Sequence, residues 1–334
     1  MTKFERRLKG SYLVTGGAGF IGAALVKRLV REGNTVRVLD NVSRGHMRRL
    51  SEVESQIDMR VADIRDTEAV ADAARGMDAV IHLAAVNGTE FFYSKPESVL
   101  DVGVRGMLAV LDACRRHGVG DLVVASSSEV YQTPPVVPTD ESAPLSVPDV
   151  MNPRYSYGGS KIISELLTIN YGRTGFRRVC LFRPHNVYGP DMGWEHVIPQ
   201  FALRAKALVE ATPKGPIRFP LQGNGRQTRA FIHIHDFTDG LMAVIERGAH
   251  LGLYHIGTQD EVTMGELAAI VVKWFDREAE LVYTAAPVGG TSRRCPHIGR
   301  LRALGFSPKV GLREGLADTL SWYVQHAHLQ PVSS

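Results

Sequence analysis

Short apolar runs rich in β-branched residues alternate with longer amphipathic stretches through the first half of the chain. The runs SYLVT, TVRVLD, MRVAD, DAVIHLAA, DLVVASS and RRVCLFRP read as strands, with helical patterns between them. Near-continuous apolar strands separated by helices predict a parallel sheet covered on both faces, an α/β doubly wound architecture. The first helix, AALVKRLVRE after Gly22, is expected to stop at Gly33, a residue suited to a left-handed cap. Beyond about Asn186 the rhythm loosens: PKGP and GNGRQTR read as loops, and helical patterns return near 263–276 and 312–325. The expected division is residues 1–185 plus 232–258 for the sheet domain and 186–231 plus 259–334 for a smaller C-terminal α/β lobe. The proline-rich loop TPPVVPTDESAPLSVPDVMNP lies between two candidate site segments and is expected to form a wall of the cleft.

Composition narrows the classes without choosing one. The 334 residues can bury a substantial core as one large domain or two smaller ones. The 39 basic and 35 acidic residues leave a formal charge of +4 and are well interspersed, with no basic patch interleaved with aromatics, so nucleic-acid binding is not expected. Cys114, Cys180 and Cys295 lie far apart without metal-ligand spacing and read as reduced packing residues of a cytoplasmic protein. The start MTKFERRLKG, followed by an apolar run, imitates a signal peptide, but the glycines in that run and the lack of a small-residue cleavage site argue against one. No apolar run reaches the ~18 residues of a membrane span, so no membrane partner is expected. His233 and His235 alternate on one strand face, and His185, His196 and His297 fall near the expected cleft. None carries a metal-ligand motif, so no metal is expected either.

Chemistry enters with YLVTGGAGFIGAALV, which sets Gly17, Gly19 and Gly22, preceded by Gly16, between a strand and the opening of a helix. Glycines there permit a tight turn and close backbone approach to a pyrophosphate, which the free N–H groups and dipole of the helix start stabilise. This is a Rossmann-type dinucleotide signature. Asp40 ends the next strand, where a carboxylate accepts hydrogen bonds from both ribose hydroxyls and repels a 2′-phosphate, so NAD is expected rather than NADP. In RYSYGGSKIISELL, Tyr157 and Lys161 stand one helical turn apart on a common face. An ammonium beside a phenol favours the phenolate, so Lys161 is expected to draw Tyr157 down towards the working range of a general base.

Together, VTGGAGFIG, HLAA, SSSEVY, YGGSK, RPHNVYGP, GNGRQTRAFIHIHD and LREGLADTLSW resemble, in content and order, the extended short-chain dehydrogenase/reductase family, particularly its nucleotide-sugar epimerases and dehydratases. The resemblance covers nearly the whole chain. It implies that Gly16, Gly19 and Gly22 hold NAD, with Phe20 and Ile21 beside the pyrophosphate and Asp63 and Ile64 beside adenine. Leu83, Ala84 and Ala85 would run along the cofactor, with Asn41 and Pro184 among its other contacts. Tyr157 would be the base, Lys161 would also hold the nicotinamide ribose, and Ser127 would bond the sugar hydroxyl being oxidised. Asn186, Arg229 and Arg294 would bind the substrate diphosphate, Val197, Ile198 and Pro199 would lie along its base, and His185 would shape sugar selectivity.

Glu129 leaves two readings open. An acidic residue here is typical of the UDP-glucuronate decarboxylases, and dehydratases carry an Asp-Glu pair; Ser128 in place of that Asp argues against 4,6-dehydration. Glu129 either moves a proton at C5 or orients a C6 group, or it is salt-bridged to a neighbour such as Arg154. Two further departures are Gly103, where a family helix often has Asn, and His297, which replaces a frequent Asp. The implied function is NAD-dependent epimerisation of a nucleotide-diphosphate sugar, with UDP the expected carrier, at C4 through a transient 4-keto sugar. A decarboxylase-like or dehydratase-like lyase using the same intermediate is the alternative, and a catalytically silent NAD-binding regulator the third. The family's pairing through helices near 97–117 and 158–174 implies a homodimer.

Overall fold

The computed structural model describes residues 9–285 and 291–331, so most of the basic start lies outside the described residues. The expected runs form β1 (Ser11–Thr15), β2 (Thr35–Asp40), β3 (Ile57–Val61), β4 (Ala79–His82), β5 (Asp121–Ala125) and β6 (Arg178–Pro184). With the strand Gly252–Ile256 they make a seven-stranded sheet in which every neighbouring pair is parallel. The order is Gly252–Ile256, β6, β5, β4, β1, β2, β3, so the winding reverses between β1 and β4. In such sheets a ligand crevice opens beyond the carboxyl ends of the strands at that reversal.

Helices α1 (Phe20–Arg31) and α7 (Ile234–Arg247) pack on one face, and α2 (Thr67–Ala74) and α4 (Pro96–His117) on the other, with α5 (Ser156–Gly172) against α4. Leu25, Val26 and Leu29 of α1 are fully buried against Val14 and Val38 of the strands. Each such side chain contributes about 1.5–3 kcal/mol. The helix begins at Phe20, earlier than its sequence pattern indicates, and Gly33 closes it at φ +79°. The Gly33 N–H donates to Val30 O at 2.8 Å and the Asn34 N–H to Leu29 O at 3.1 Å, satisfying its last carbonyls. Gly103 has a packing reason: a Cβ there would lie 2.8 Å from Cβ of Ser160, so the missing side chain lets α4 and α5 approach.

A third core joins Ile198 and Phe201 of α6 (Val197–Ala211), Leu267 and Val271 of α8 (Met264–Trp274), and Leu316, Leu320 and Tyr323 of the helix Leu312–Gln325. Thr263 and Glu266 cap α8 reciprocally. The proline-rich loop departs from expectation, since none of its residues lines the cleft. It braces the site from behind: the Thr139 N–H donates to Cys295 O at 2.9 Å and the His297 N–H to Thr139 O at 2.6 Å, fixing the segment that carries Arg294. All three cysteines are free and buried. Among the described residues no helix is long and apolar enough to cross a membrane.

Candidate active site

A cleft of about 1030 Å³ opens at the carboxyl edge of the sheet. Its floor is backbone: Gly16 sits at φ +72°, where an added Cβ would lie 2.8 Å from the Ala84 nitrogen, and a Cβ on Gly22 would collide with the Gly16 carbonyl oxygen. No side chain at Gly19 caps the first N–H groups of α1. A floor without side chains beneath an uncapped helix start fits a dinucleotide pyrophosphate. Asp40, at the tip of β2, is held by the N–H groups of Ala18 at 3.0 Å and Val42 at 2.8 Å, and its carboxylate faces the cleft. Asn41 donates to Asp63 at 3.2 Å, and the Arg65 guanidinium beside Asp63 holds that carboxyl down at about 2. Phe20, Ile21, Ile64, Leu83, Ala84, Ala85 and Pro184 line the same cleft. Arg44 lines the cleft as well, its guanidinium 4.7 Å over the Phe91 ring and 3.6 Å from Glu195.

Where β5 ends, Ser127 starts a single turn of 3₁₀ helix, Ser128–Tyr131, its Oγ accepting the Glu129 N–H at 3.1 Å. The Ser127 hydroxyl also acts on the Tyr157 phenol, favouring its ionised form. Tyr157 and Lys161 share the buried face of α5, and the Lys161 Nζ donates to Ala125 O at 2.8 Å, 5.8 Å from the Tyr157 ring centre. One expectation is corrected here. The Lys161 ammonium is directed at a strand carbonyl and does not pull the phenol down; burial pushes Tyr157 up to about 12, more than the influence of Ser127 offsets. Burial likewise pushes Lys161 down to about 8, against the charge of Glu165.

Behind these groups lies a buried polar scaffold that the sequence reading missed. Arg183 forks onto Glu165 at 2.8 and 2.6 Å, Ser126 donates to the same carboxylate, and Arg183 reaches the Tyr131 hydroxyl. Tyr131 in turn meets His255 Nε2 at 2.5 Å. The residue types are scattered through the chain and only the fold joins them.

On the substrate side, Glu129 pairs with Arg294 at 2.5 Å, not with Arg154. Burial alone would raise the Glu129 carboxyl, but the charge and hydrogen bond of Arg294, with the charges of Arg154 and Arg229, hold it below its ordinary value. Asn186, at φ +40°, lines the cleft with its side chain bonded to Ala230 O at 3.0 Å. Val197 and Arg229 stand back from the wall: Val197 opens α6 against the third core, and Arg229 is occupied by the carbonyls of Thr228 and Thr291 at 2.7 and 2.8 Å. His185 is also set back, fully buried beside His255 with both ring nitrogens unpartnered among the described residues. Conversely Phe92, Trp194, Glu195 and Gln330 line the cleft without having been singled out.

A sequence profile described as the NAD dependent epimerase/dehydratase family matches residues 12–257. The chain belongs to that family. It is 32% identical over 305 residues to UDP-glucuronic acid decarboxylase 2 of Arabidopsis thaliana, covering 91% of this chain and 66% of that protein. The crystal structure of a dTDP-glucose 4,6-dehydratase from Streptomyces venezuelae with NAD bound superposes with a TM-score of 0.83 at 30% identity, covering 96% of this chain and 98% of that one. A UDP-glucose 4-epimerase from Thermotoga maritima also reaches 0.83, at 25% identity over 95% and 99% of the two chains. The fold is thus the Rossmann type of this family, and the cofactor is NAD. Gly16, Gly22 and Asp40 present the floor and carboxylate that it requires.

Proposed function

We propose that the chain oxidises C4 of a nucleotide-diphosphate sugar, transforms the resulting 4-keto sugar and reduces it again, so that no external oxidant is consumed. The observation that carries this reading is the convergence of Tyr157, Ser127 and Lys161 at the tip of β5, on the same cleft as Asp40 and the glycine floor. Bound NAD supplies the acceptor for the hydrogen and electron pair of C4 and, in its oxidised form, a positive ring charge. Tyr157 takes the proton of the C4 hydroxyl, while Ser127, beside it on the same cleft, is placed to steady the developing oxyanion. Lys161, fixed on Ala125 O, keeps a cation beneath the pair. Two buried groups whose acidities are both shifted away from ion-pair formation make a base that depends on that added positive charge.

The Glu129–Arg294 pair favours a lyase outcome, decarboxylation of a nucleotide-diphosphate hexuronate, over simple inversion. A 4-keto hexuronate is a β-keto acid: its C6 carboxylate leaves as carbon dioxide, with the electron pair passing through C5 onto the C4 oxygen. A proton must then reach C5. A substrate carboxylate arriving on Arg294 takes away the partner of Glu129, and uncompensated burial drives Glu129 towards the protonated form that can supply it. C4 inversion, the first reading of the sequence, is the second one here, because Tyr157, Ser127 and Lys161 suffice for it without Glu129. Incubation with UDP-glucuronate separates the two: UDP-pentose and carbon dioxide are expected, whereas a recovered hexuronate with C4 inverted supports the epimerase.

The proposed homodimer pairs the outer faces of α4 and α5, where Leu100, Ile163 and Leu166 are exposed.

A further inference from the structure

The proposed base is not held by any of the three large cores. Tyr157 belongs to a small separate cluster with Phe92 of α3 (Thr89–Ser94) and Val99 of α4. Within it the Phe92 and Tyr157 rings lie face to face, centres 5.0 Å apart and planes 9° from parallel, and Phe92 is 5% exposed. The six-residue α3 is fastened independently of Tyr157. Arg44 lies over Phe91 and meets Glu195 at 3.6 Å, and the Phe91 N–H and Phe92 N–H both donate to Gly88 O, at 3.0 and 3.3 Å. Gly88 sits at φ +127°, and a Cβ on it would lie 2.9 Å from Arg44 Nη1, so this corner is closely fitted.

We propose that Phe92 is a positioning residue for Tyr157: its ring clamps one face of the phenol, fixing the ring plane and keeping water from that face while Tyr157 itself lines the cleft. The inference rests on the reading of Tyr157 as the base. Stacked aromatic pairs are stronger than their buried area alone accounts for, and the preference for a ring partner is geometric, so an aliphatic side chain of similar size does not replace it. The polar groups acting on the phenol are Ser127 and Glu129 from the turn after β5; Lys161 of its own helix stands 5.8 Å from the ring centre with its Nζ on Ala125 O, while α3 and α4 offer the ring the apolar Phe92 and Val99. Phe92 therefore acts on the phenol through exclusion of water and not through charge.

The test compares Phe92→Leu, Phe92→Tyr and Tyr157→Phe with wild type, all NAD-loaded. The phenolate titration of Tyr157 is read without substrate, as the ultraviolet difference spectrum of each protein minus the same protein carrying Tyr157→Phe, so that the phenol added by Phe92→Tyr cancels. Phe92→Leu should move that transition to lower pH by about one unit, since opening a buried phenol to water relieves the burial that raises it. It should also lower kcat on UDP-glucuronate about tenfold, with KM within about twofold. Phe92→Tyr, which keeps the stack, should restore both. An unshifted transition in a folded Phe92→Leu, or a Phe92→Tyr no better than Phe92→Leu, overturns the proposal, because a merely structural role changes melting temperature and not the titration. Full activity in Tyr157→Phe would instead remove Tyr157 as the base, an outcome distinct from failure of the clamp.

Discussion

Replacing Arg294 by Gln should leave Glu129 as a largely buried carboxylate without its closest counter-charge. The side chains are 25% exposed at Glu129 and 13% at Arg294, so the loss lies below the 3–5 kcal/mol of a fully buried pair, at about 2 kcal/mol. For a chain of this length the unfolding entropy is about 0.7 kcal/mol/K, which makes the fall in Tm about 3 °C. The sign with pH follows from linkage. In wild type the Glu129 carboxyl is held below its ordinary value, so the pair stabilises fully above that value and its contribution is lost as pH falls through the lowered one. In Arg294→Gln, burial dominates and raises the carboxyl, so the variant is penalised at neutral pH and recovers as acid protonates the group. The gap in Tm between the two proteins should therefore be widest at neutral pH and above, narrow as acid protonates Glu129 in the variant, and close only as pH falls through the lowered value of the wild type. Thermal unfolding of wild type, Arg294→Gln, Glu129→Gln and the double variant over that range measures this. The double variant should be more stable at neutral pH than Arg294→Gln alone, since no charge is left unpaired. A gap independent of pH, or strictly additive losses, would refute the account of Glu129.

Tyr157→Phe should lower kcat by about 10²–10⁴-fold while bound NAD is retained, read by turnover and by cofactor content after purification. Gly22→Ala should lose NAD, because its Cβ would strike the Gly16 carbonyl under the pyrophosphate floor; cofactor content of the purified protein checks this. Leu166→Glu, at a side chain 59% exposed on α5, should shift the protein to monomers in sedimentation analysis, and unchanged dimers would move the interface elsewhere.

What the sequence disclosed followed from periodicity and local chemistry. Six strands, the stop of α1 at Gly33 and the dinucleotide floor are written in contiguous patterns of apolar spacing and glycine placement. The meeting of Tyr157 with Lys161 needs only one helical turn. What it withheld depends on long-range contact. The partner of Glu129 lies 165 residues away in the chain, and the local candidate Arg154 was the natural choice without the fold. The phenol's upward shift could not be read either, because burial is a property of the packed cluster that α3 completes. Arg229 and Val197 sit in motifs that point at the substrate; in the fold Arg229 bonds the carbonyls of Thr228 and Thr291 while its charge reaches Glu129, and Val197 packs on the third core.

The central claim is that C4 is oxidised and then reduced within one active site, and isotopic labelling tests it most directly. UDP-glucuronate carrying deuterium at C4 is mixed with the NAD-loaded protein and quenched during turnover. The deuterium is expected on the nicotinamide of a fraction of the bound cofactor and, in finished product, back at C4 of UDP-pentose. Product formed while the cofactor never carries the label would contradict it.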